Sequence, residues 1–258
     1  MTTTTTAPTS VVAVLRGDLA DRPERNTWSG PTARLDLEAT LRSVEHLALP
    51  VTVRTSEITH GGPLEGAGSA SQLRGLLLNA ALRLLVNGVA LDDFFYDPLR
   101  AARSTSDAYV SELISHLNAD QMARLEADVR SHVSTLRHRL GRVPSAWLPR
   151  TSLRSSVALG GGSVLLRDDV DLVLGHTGAA DSHVGLLDIT TAPLGAWSER
   201  LLSYHALVYA MRTHVVPLRV GLLSTATGEL VTRDGTPELI ATGAQNVISY
   251  IQGLAVQP

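Results

Sequence analysis

The chain of 258 residues contains neither cysteine nor lysine, and each absence excludes some chemistry. Without cysteine it can form no disulfide, no thiolate zinc site and no cysteine nucleophile. Without lysine, all 22 basic residues are arginines, so any site for a polyanion would have to be a local arginine cluster. Lysine is ordinarily among the commonest residues. Its absence is consistent with the Ala/Arg/Leu/Val-rich composition of a GC-rich genome, or with selection in a protein that works beside lysine-modifying machinery.

Aromatic residues, long apolar runs and net charge are also scarce. Aromatic residues make up 4% of the chain, so a core must be built from Leu, Val and Ala, which the 44% apolar content can supply. No apolar run approaches ~18 residues, so we expect no membrane span and no membrane partner. The threonine-rich start lacks the basic and apolar regions of a signal peptide, which predicts a cytoplasmic protein. A net charge of -3 creates no global attraction for nucleic acid.

The chain divides by pattern into a disordered tail over 1–10, a small β/α appendage over 11–66 and a main domain over 67–258. In the appendage, 11–15 and 51–58 are predicted as strands, and so is the short alternating stretch 32–35. Helical spacing over 37–47 predicts one helix there. A linker with four glycines over 61–68 separates this unit from the remainder.

The main domain has a clear order of elements. Residues 72–86 predict a buried helix, and 92–97, which holds both phenylalanines, is expected to fill a gap beside it. Asn118 and Gln121 have the spacing of a capping box that begins a long helix, and Gly141 ends that helix. Strands are predicted over 152–159, 164–174, 184–190 and 217–224, and helices over 196–213 and from Thr236 onward. The fold class is therefore α/β (α+β), with a mixed sheet flanked by helices.

The order helix, three antiparallel strands, helix, strand resembles the core of the PD-(D/E)XK nuclease superfamily, most closely its RecB-like branch. The similarity covers residues 70–224 approximately and rests on order and spacing more than on identities. Its motifs are a Gly-x-x-x-His helix, a Gly-x-x-Asp strand, an Asp-x-Lys strand and a Gln-x-x-x-Tyr helix. In this chain the matching positions are Gly75 to Asn79, Asp168 to Asp171, Asp188-Ile189-Thr190, and His205 to Tyr209.

The resemblance implies a Mg²⁺ site formed by Asp171, Asp188 and the Ile189 carbonyl, with Asn79 as a weaker further ligand. In such a site the metal activates a water molecule and the lysine orients that water. The catalytic positions would be Asp171, Asp188, Thr190, His205 and Tyr209.

Four residues depart from the pattern, and they predict a loss of catalysis. These are Asn79 for His, Asp168 for Gly, Thr190 for Lys and His205 for Gln. The loss of one charge-stabilising donor typically costs ~10²- to 10³-fold in rate. By i, i+4, i+7 spacing, His205, Tyr209 and Arg212 share a helix face, so we expect Arg212 to neutralise the acidic pair. The alternative is that His205 is simply a satisfied, half-buried residue.

One basic patch could contact phosphates, or could equally be a solvated helix face. It comprises Arg130, His132, Arg137, His138, Arg139 and Arg142 and is extended by Arg150 and Arg154. The candidate phosphate contacts are Arg137, Arg139, Arg142, Arg150 and Arg154, with Arg212 as a further candidate. His176, Asp181 and His183 are close in sequence, but they lie in a Gly/Ala/Ser segment that predicts a solvated turn.

Three functions are consistent with these patterns. The first is a catalytically degenerate RecB-like domain that binds DNA or RNA or scaffolds a larger protein assembly. The second is an active, divergent, Mg²⁺-dependent nuclease. The third is a protein–protein adaptor that uses the same fold. A cleavage assay separates the first two, and salt-dependent nucleic-acid binding separates both from the third.

Overall fold

The computed structural model describes residues 10–16, 37–39, 50–59, 69–89, 112, 114–175 and 184–256. Several predicted segments lie outside these residues. They are residues 1–9 of the predicted tail, most of the appendage, the segment 92–97 and the predicted turn with His176, Asp181 and His183.

Six strands and six helices organise the described part of the chain. The strands are β1 (Val51–Arg54), β2 (Arg150–Leu159), β3 (Val164–Leu174), β4 (Gly185–Thr190), β5 (Arg219–Ser224) and β6 (Leu230–Asp234). The helices are α1 (Val11–Arg16), α2 (Thr55–Ile58), α3 (Ser69–Val86), α4 (Ala119–Leu140), α5 (Trp197–Thr213) and α6 (Pro237–Val256).

The strands form one mixed sheet in which β3 is the central member. One edge of β3 pairs antiparallel with β2 along nearly its whole length. The opposite edge is shared, because its beginning pairs parallel with β1 and its end pairs antiparallel with β4. From β4 the sheet continues through a parallel β5 and an antiparallel β6. Residues 168–171 of β3 are therefore left between β1 and β4, with no strand partner on that edge.

A separate apolar core covers each face of the sheet. Helices α5 and α6 pack on one face against Leu166, Val170 and Leu222. Helices α1, α3 and α4 pack on the other, against Leu172, Leu187 and Leu223. The mixed sheet flanked by helices confirms the predicted fold class.

Most predicted elements of the main domain are present, including the helix cap. The Asn118 side chain accepts the Gln121 N–H at 2.9 Å, and the Gln121 side chain accepts the Asn118 N–H at 3.0 Å. Strand β3 has the bounds predicted by its alternation. β2, β4 and β5 shift by only two residues or fewer at one end.

The N-terminal region differs from the prediction. Residues 11–15, predicted as a strand, form helix α1, because Val11, Val12 and Leu15 face one core at helical spacing. The predicted strand over 51–58 ends at Arg54 and continues as α2. The stretch predicted as an appendage contributes β1 to the main sheet, and Arg219 donates to the Val14 carbonyl of α1.

Candidate functional site

The two predicted carboxylates meet where β3 and β4 separate. The β3–β4 pairing stops at Leu172 opposite Leu187, so Asp171 and Asp188 are the next residues on their strands. The Ile189 N–H donates to Asp171 Oδ2 at 2.9 Å, which puts a side chain where a ladder hydrogen bond would otherwise form. The sequence-predicted pair is thus brought together by the branching of the sheet.

A local distortion of β2 and β3 accompanies this separation. Ser152, opposite Asp171, has φ of 56°, a left-handed conformation that costs a non-glycine residue about 1–2 kcal/mol. The β2–β3 pairing skips both residues. Val170 packs under α5 whereas Leu172 packs on the opposite face, so the alternation of β3 is interrupted at Asp171. Such strain is a feature that functional sites tend to concentrate.

Asp171 and Asp188 lie within hydrogen-bonding distance of each other. Burial raises the pKa of Asp171 well above its usual value, and the neighbouring Asp188 carboxylate raises it further. The Ile189 N–H and His205 act in the opposite direction but are outweighed. The neighbouring carboxylate and the burial therefore both favour the protonated form of Asp171.

His205 on α5 lies between two carboxylates and is completely buried. Its Nδ1 is 2.8 Å from Asp168 Oδ1, and its Nε2 is 3.5 Å from Asp188 Oδ2 and has no hydrogen-bond partner. Burial lowers the pKa of His205, but Asp168 and Asp188 together outweigh burial and raise the pKa to about 10. His205 is consequently an imidazolium at neutral pH, and it links Asp168 to the Asp171–Asp188 pair.

We call Asp168, Asp171, Asp188 and His205 the buried charge cluster, in which Asp168 and His205 are buried and Asp171 and Asp188 are half-buried. Sequence reasoning singled out three of these residues but noted Asp168 only as a departure from glycine. The available signal was the i, i+3 spacing of Asp168 and Asp171 on a strand whose alternation is otherwise apolar. Adjacent Tyr204 was also missed: its hydroxyl lies 2.8 Å from the Val53 carbonyl and 2.9 Å from the Arg167 carbonyl, and it joins α5 to β1 and β3.

Thr190 and Asn79 stand apart from this cluster. The Thr190 hydroxyl accepts the Ala192 N–H at 3.1 Å, and its carbonyl accepts the Thr225 hydroxyl at 2.9 Å. Thr190 therefore shapes the turn after β4 instead of supplying charge. Asn79 is half-buried on α3, which packs against α4 and β2.

The expectation that Arg212 neutralises the acidic pair is wrong. Arg212 is exposed, and His205 supplies the cation in its place. Tyr209 also points elsewhere, since its hydroxyl interacts with Arg150 at the start of β2. The physical reason is that α5 advances about 1.5 Å per residue, so Arg212 is ~10 Å beyond His205 along the helix axis although both share a face.

The donor set does not fit the Mg²⁺ ion that the family resemblance implies. Asp168 and His205 are paired with each other, so neither is free to coordinate a metal ion. Asp171 and Asp188 are then the only carboxylates of the cluster that remain for one. Within the described ranges, no three His, Asp or Glu side chains form a group suited to a metal ion.

The six arginines proposed for nucleic-acid binding do not form one surface. Arg137 and Arg142 are exposed at the end of α4, on the α4 face of the sheet, whereas Arg212 projects from α5 on the other face. Arg139 is half-buried. Arg150 donates to the Gly175 carbonyl at 3.2 Å, which gives it a structural role, and exposed Arg154 pairs with Asp169.

Comparisons with known proteins give little guidance. No protein-family model matches the chain, and no curated protein matches it either. A solved structure described as the crystal structure of SSO0001 is similar over 84% of this chain and 83% of its own, at 11% identity and a TM-score of 0.33, which is too distant a likeness to support a conclusion. The helices of the described residues are too short or too polar to cross a membrane.

Proposed function

We propose that this chain is a catalytically degenerate, RecB-like nuclease domain that binds nucleic acid or scaffolds a larger assembly. The observation that carries the proposal is the buried charge cluster. Its single cation, His205, is fixed between Asp168 and Asp188 and is unavailable to a phosphate. A site for phosphodiester cleavage needs an accessible charge next to the attacking water and the reacting phosphate.

Two further features support the loss of catalysis. Thr190, at the position of the family's lysine, has its hydroxyl committed to the turn after β4. Among the residues that the structure describes, no third His, Asp or Glu side chain joins Asp171 and Asp188 in a group that could hold a metal ion. Both features favour a protein that retains the fold of a nuclease without its chemistry.

The end of helix α4 is the surface that favours nucleic-acid binding. Arg137 and Arg142 are exposed there, on either side of the helix terminus at Gly141. Arginine side chains contact phosphate oxygens in a fork geometry that carries no sequence information. We therefore propose binding through the phosphate backbone, without preference for a base sequence.

The first test is a cleavage assay with single- and double-stranded DNA and RNA in Mg²⁺ or Mn²⁺. We expect no product above the level of a protein-free control. Cleavage by the wild type that disappears in Asp188→Ala would overturn the proposal and establish the active-nuclease alternative. Cleavage that is gained only in Thr190→Lys would show that the lysine alone is missing, and would contradict the part that the buried charge cluster plays in the loss of catalysis.

The second test measures DNA affinity by fluorescence anisotropy between 50 and 200 mM salt, roughly the window in which phosphate contacts weaken. We expect Arg137→Gln combined with Arg142→Gln to reduce the salt slope by about 2, one for each lost phosphate contact. Arg212→Gln is the matched control on the other face of the sheet and should leave the slope unchanged. A wild type without salt-dependent binding would favour the adaptor alternative.

A further inference from the structure

A second charged site lies on the same strand as the buried cluster, where β3 pairs with β1. It is a cavity of about 470 Å³ that is lined by Arg54, Arg154 and Arg167, one from each of three neighbouring strands. The lining is completed by Thr55, Ser155, Ser156, Asp168 and Asp169. Sites for small molecules typically occupy 300–1,000 Å³, roughly, so the cavity has room for more than an inorganic ion.

The register of the sheet places the arginines next to one another. Arg54 pairs with Arg167 across the parallel β1–β3 ladder, and Arg167 pairs with Ser156 across the β2–β3 ladder. Paired residues on adjacent strands have Cβ atoms ~4.5–5.5 Å apart, and like charges in that position repel. Two neighbouring guanidinium groups are therefore an unfavourable arrangement unless an anion binds to both of them.

The nearby carboxylates are already neutralised by other partners. Asp169 is 3.4 Å from the Arg154 Nε, and Asp168 is paired with His205 inside the protein. Neither Arg54 nor Arg167 has a carboxylate within ion-pair distance in the part of the chain that the structure describes. Among the described residues, the cavity therefore has two positive charges without a paired carboxylate, and both side chains are exposed to solvent.

We propose that this cavity is a binding site for a phosphate group, held by Arg54 and Arg167 with hydroxyl donors from the β2 and α2 residues. Arginine is the side chain best suited to bind phosphate oxygens in pairs, and a phosphate monoester has the charge that matches two arginines. The remaining volume accommodates the sugar or base attached to that phosphate. The ligand is therefore a phosphate monoester, either of a free nucleotide or at the end of a nucleic-acid strand.

The site is separate from the α4 surface of the proposed function. Arg54 and Arg167 come from β1 and the first half of β3, whereas Arg137 and Arg142 come from the end of α4. The cavity requires neither a nuclease ancestry nor binding along a phosphate backbone. Its failure or success can accordingly be recognised independently of the DNA-binding test above.

Calorimetric titration of the full chain with four probes tests the proposal. Adenosine 5′-monophosphate is compared with adenosine, and a 5′-phosphorylated oligonucleotide with the same oligonucleotide ending in a 5′-hydroxyl. We expect saturable binding that requires the phosphate monoester in at least one pair. Response only to the mononucleotide identifies a free nucleotide as the source, and response only to the oligonucleotide identifies a strand end.

Variants assign the binding to this cavity. Arg54→Gln and Arg167→Gln should each weaken binding by about tenfold or more, because each removes charge-assisted hydrogen bonds to the phosphate. Arg167→Lys should recover part of the affinity, and Arg212→Gln should leave it unchanged. Circular dichroism confirms that each variant is folded.

Equal binding of the phosphorylated and unphosphorylated member of both pairs would overturn the proposal, and so would phosphate-dependent binding that neither Arg54→Gln nor Arg167→Gln weakens. If salt-dependent DNA binding persists in either case, the proposed function stands without the phosphate site. If phosphate binding persists while DNA binding fails, the phosphate site stands without the proposed function.

Discussion

Asp168 and Asp169 are consecutive residues of β3. Each forms an ion pair with one cationic side chain, but the Asp168 pair is buried and the Asp169 pair is exposed to solvent. The Asp168 side chain is 1% exposed, and its partner His205 is 0% exposed, at 2.8 Å. The Asp169 side chain is 62% exposed, and its partner Arg154 is 84% exposed, at 3.4 Å. One step along the strand therefore changes a buried ion pair into a solvated one.

The difference in solvent exposure determines whether each charged side chain can bind a ligand. A buried charge without its partner costs several kcal/mol, so Asp168 and His205 are fixed to each other and close the would-be active site. Solvated pairs contribute about 0–1 kcal/mol and rearrange readily, so the arginines around Asp169 remain available to an incoming anion. The charges on the buried side of β3 therefore stabilise the fold, whereas those on its exposed side can bind a ligand.

The largest expected effect on stability comes from replacing the aspartate of the buried ion pair by alanine, with the same substitution in the exposed pair as the control. Asp168→Ala leaves the His205 imidazolium with only the more distant Asp188, and should reduce the free energy of unfolding by about 3–5 kcal/mol. Asp169→Ala, the matched control, should change it by less than about 0.5 kcal/mol. Chemical denaturation at neutral pH measures both values, and similar losses in the two variants would contradict the comparison.

The pH dependence of stability should follow His205. The unfolded chain releases the imidazole proton near pH 6.5, whereas the folded protein retains it up to about pH 10. The unfolded state therefore binds fewer protons in this window, so stability falls as pH rises, by up to about 1.4 kcal/mol per pH unit. The raised pKa of Asp171 adds a decline of the same sign that begins near pH 3.8.

Denaturation series between pH 5 and 9.5 on the wild type and on His205→Gln measure this dependence, over most of the window ~6.5–10. The glutamine variant should show a much flatter profile above pH 6.5. A wild-type profile that rises across the same range would show that His205 is neutral in the folded protein.

Tyr204→Phe tests a buried neutral contact beside the charged one. The Tyr204 hydroxyl interacts with the carbonyls of Val53 and Arg167, so its removal should cost about 1 kcal/mol, a typical net value for a hydrogen bond. Tyr250→Phe on α6, where the tyrosine is only half-buried, serves as the control for the same chemical change. A loss as large as that of Asp168→Ala would mean that charge is not what distinguishes the buried side.

The smallest expected effect is a gain at the distorted strand. Ser152→Gly should stabilise the protein by roughly 0.5–1 kcal/mol, because glycine adopts the positive φ of Ser152 without strain. Ser155→Gly on the same strand, outside the distortion, should instead destabilise it. Equal effects of the two substitutions would remove the evidence for strain beside Asp171.

The elements of the main domain could be predicted because each had a local signal. The capping residues Asn118 and Gln121 marked the start of α4, and alternation marked β3 from Val164 to Leu174. Helix α1 was mistaken for a strand because its valines favour strands locally, and only packing against the core makes it helical. Strand β6 was missed because it is a short edge strand without strong alternation.

The acidic pair of the candidate site could be predicted, but its electrostatics could not. Spacing on β3 and β4 was enough to bring Asp171 and Asp188 together. Whether His205 or Arg212 supplies the neutralising charge depends on how far along α5 each lies, and a helix face alone does not give that position. The arginine cavity depends on the pairing of β1 with β3, which residues 51–58 read in isolation do not specify.

The protonation state of His205 is the most direct test of whether a buried cation occupies the candidate site. Nuclear magnetic resonance of ¹⁵N-labelled histidine side chains, with His205→Gln used to assign the signal, follows that imidazole from pH 5 to pH 9.5, a range that brackets the ordinary histidine pKa of about 6.5. We expect both ring nitrogens to keep the chemical shifts of an imidazolium through neutral pH, and these shifts to change only as the pH approaches 10. A midpoint near the ordinary value would show that His205 is not held as a cation at neutral pH, and would contradict the explanation given for the loss of catalysis.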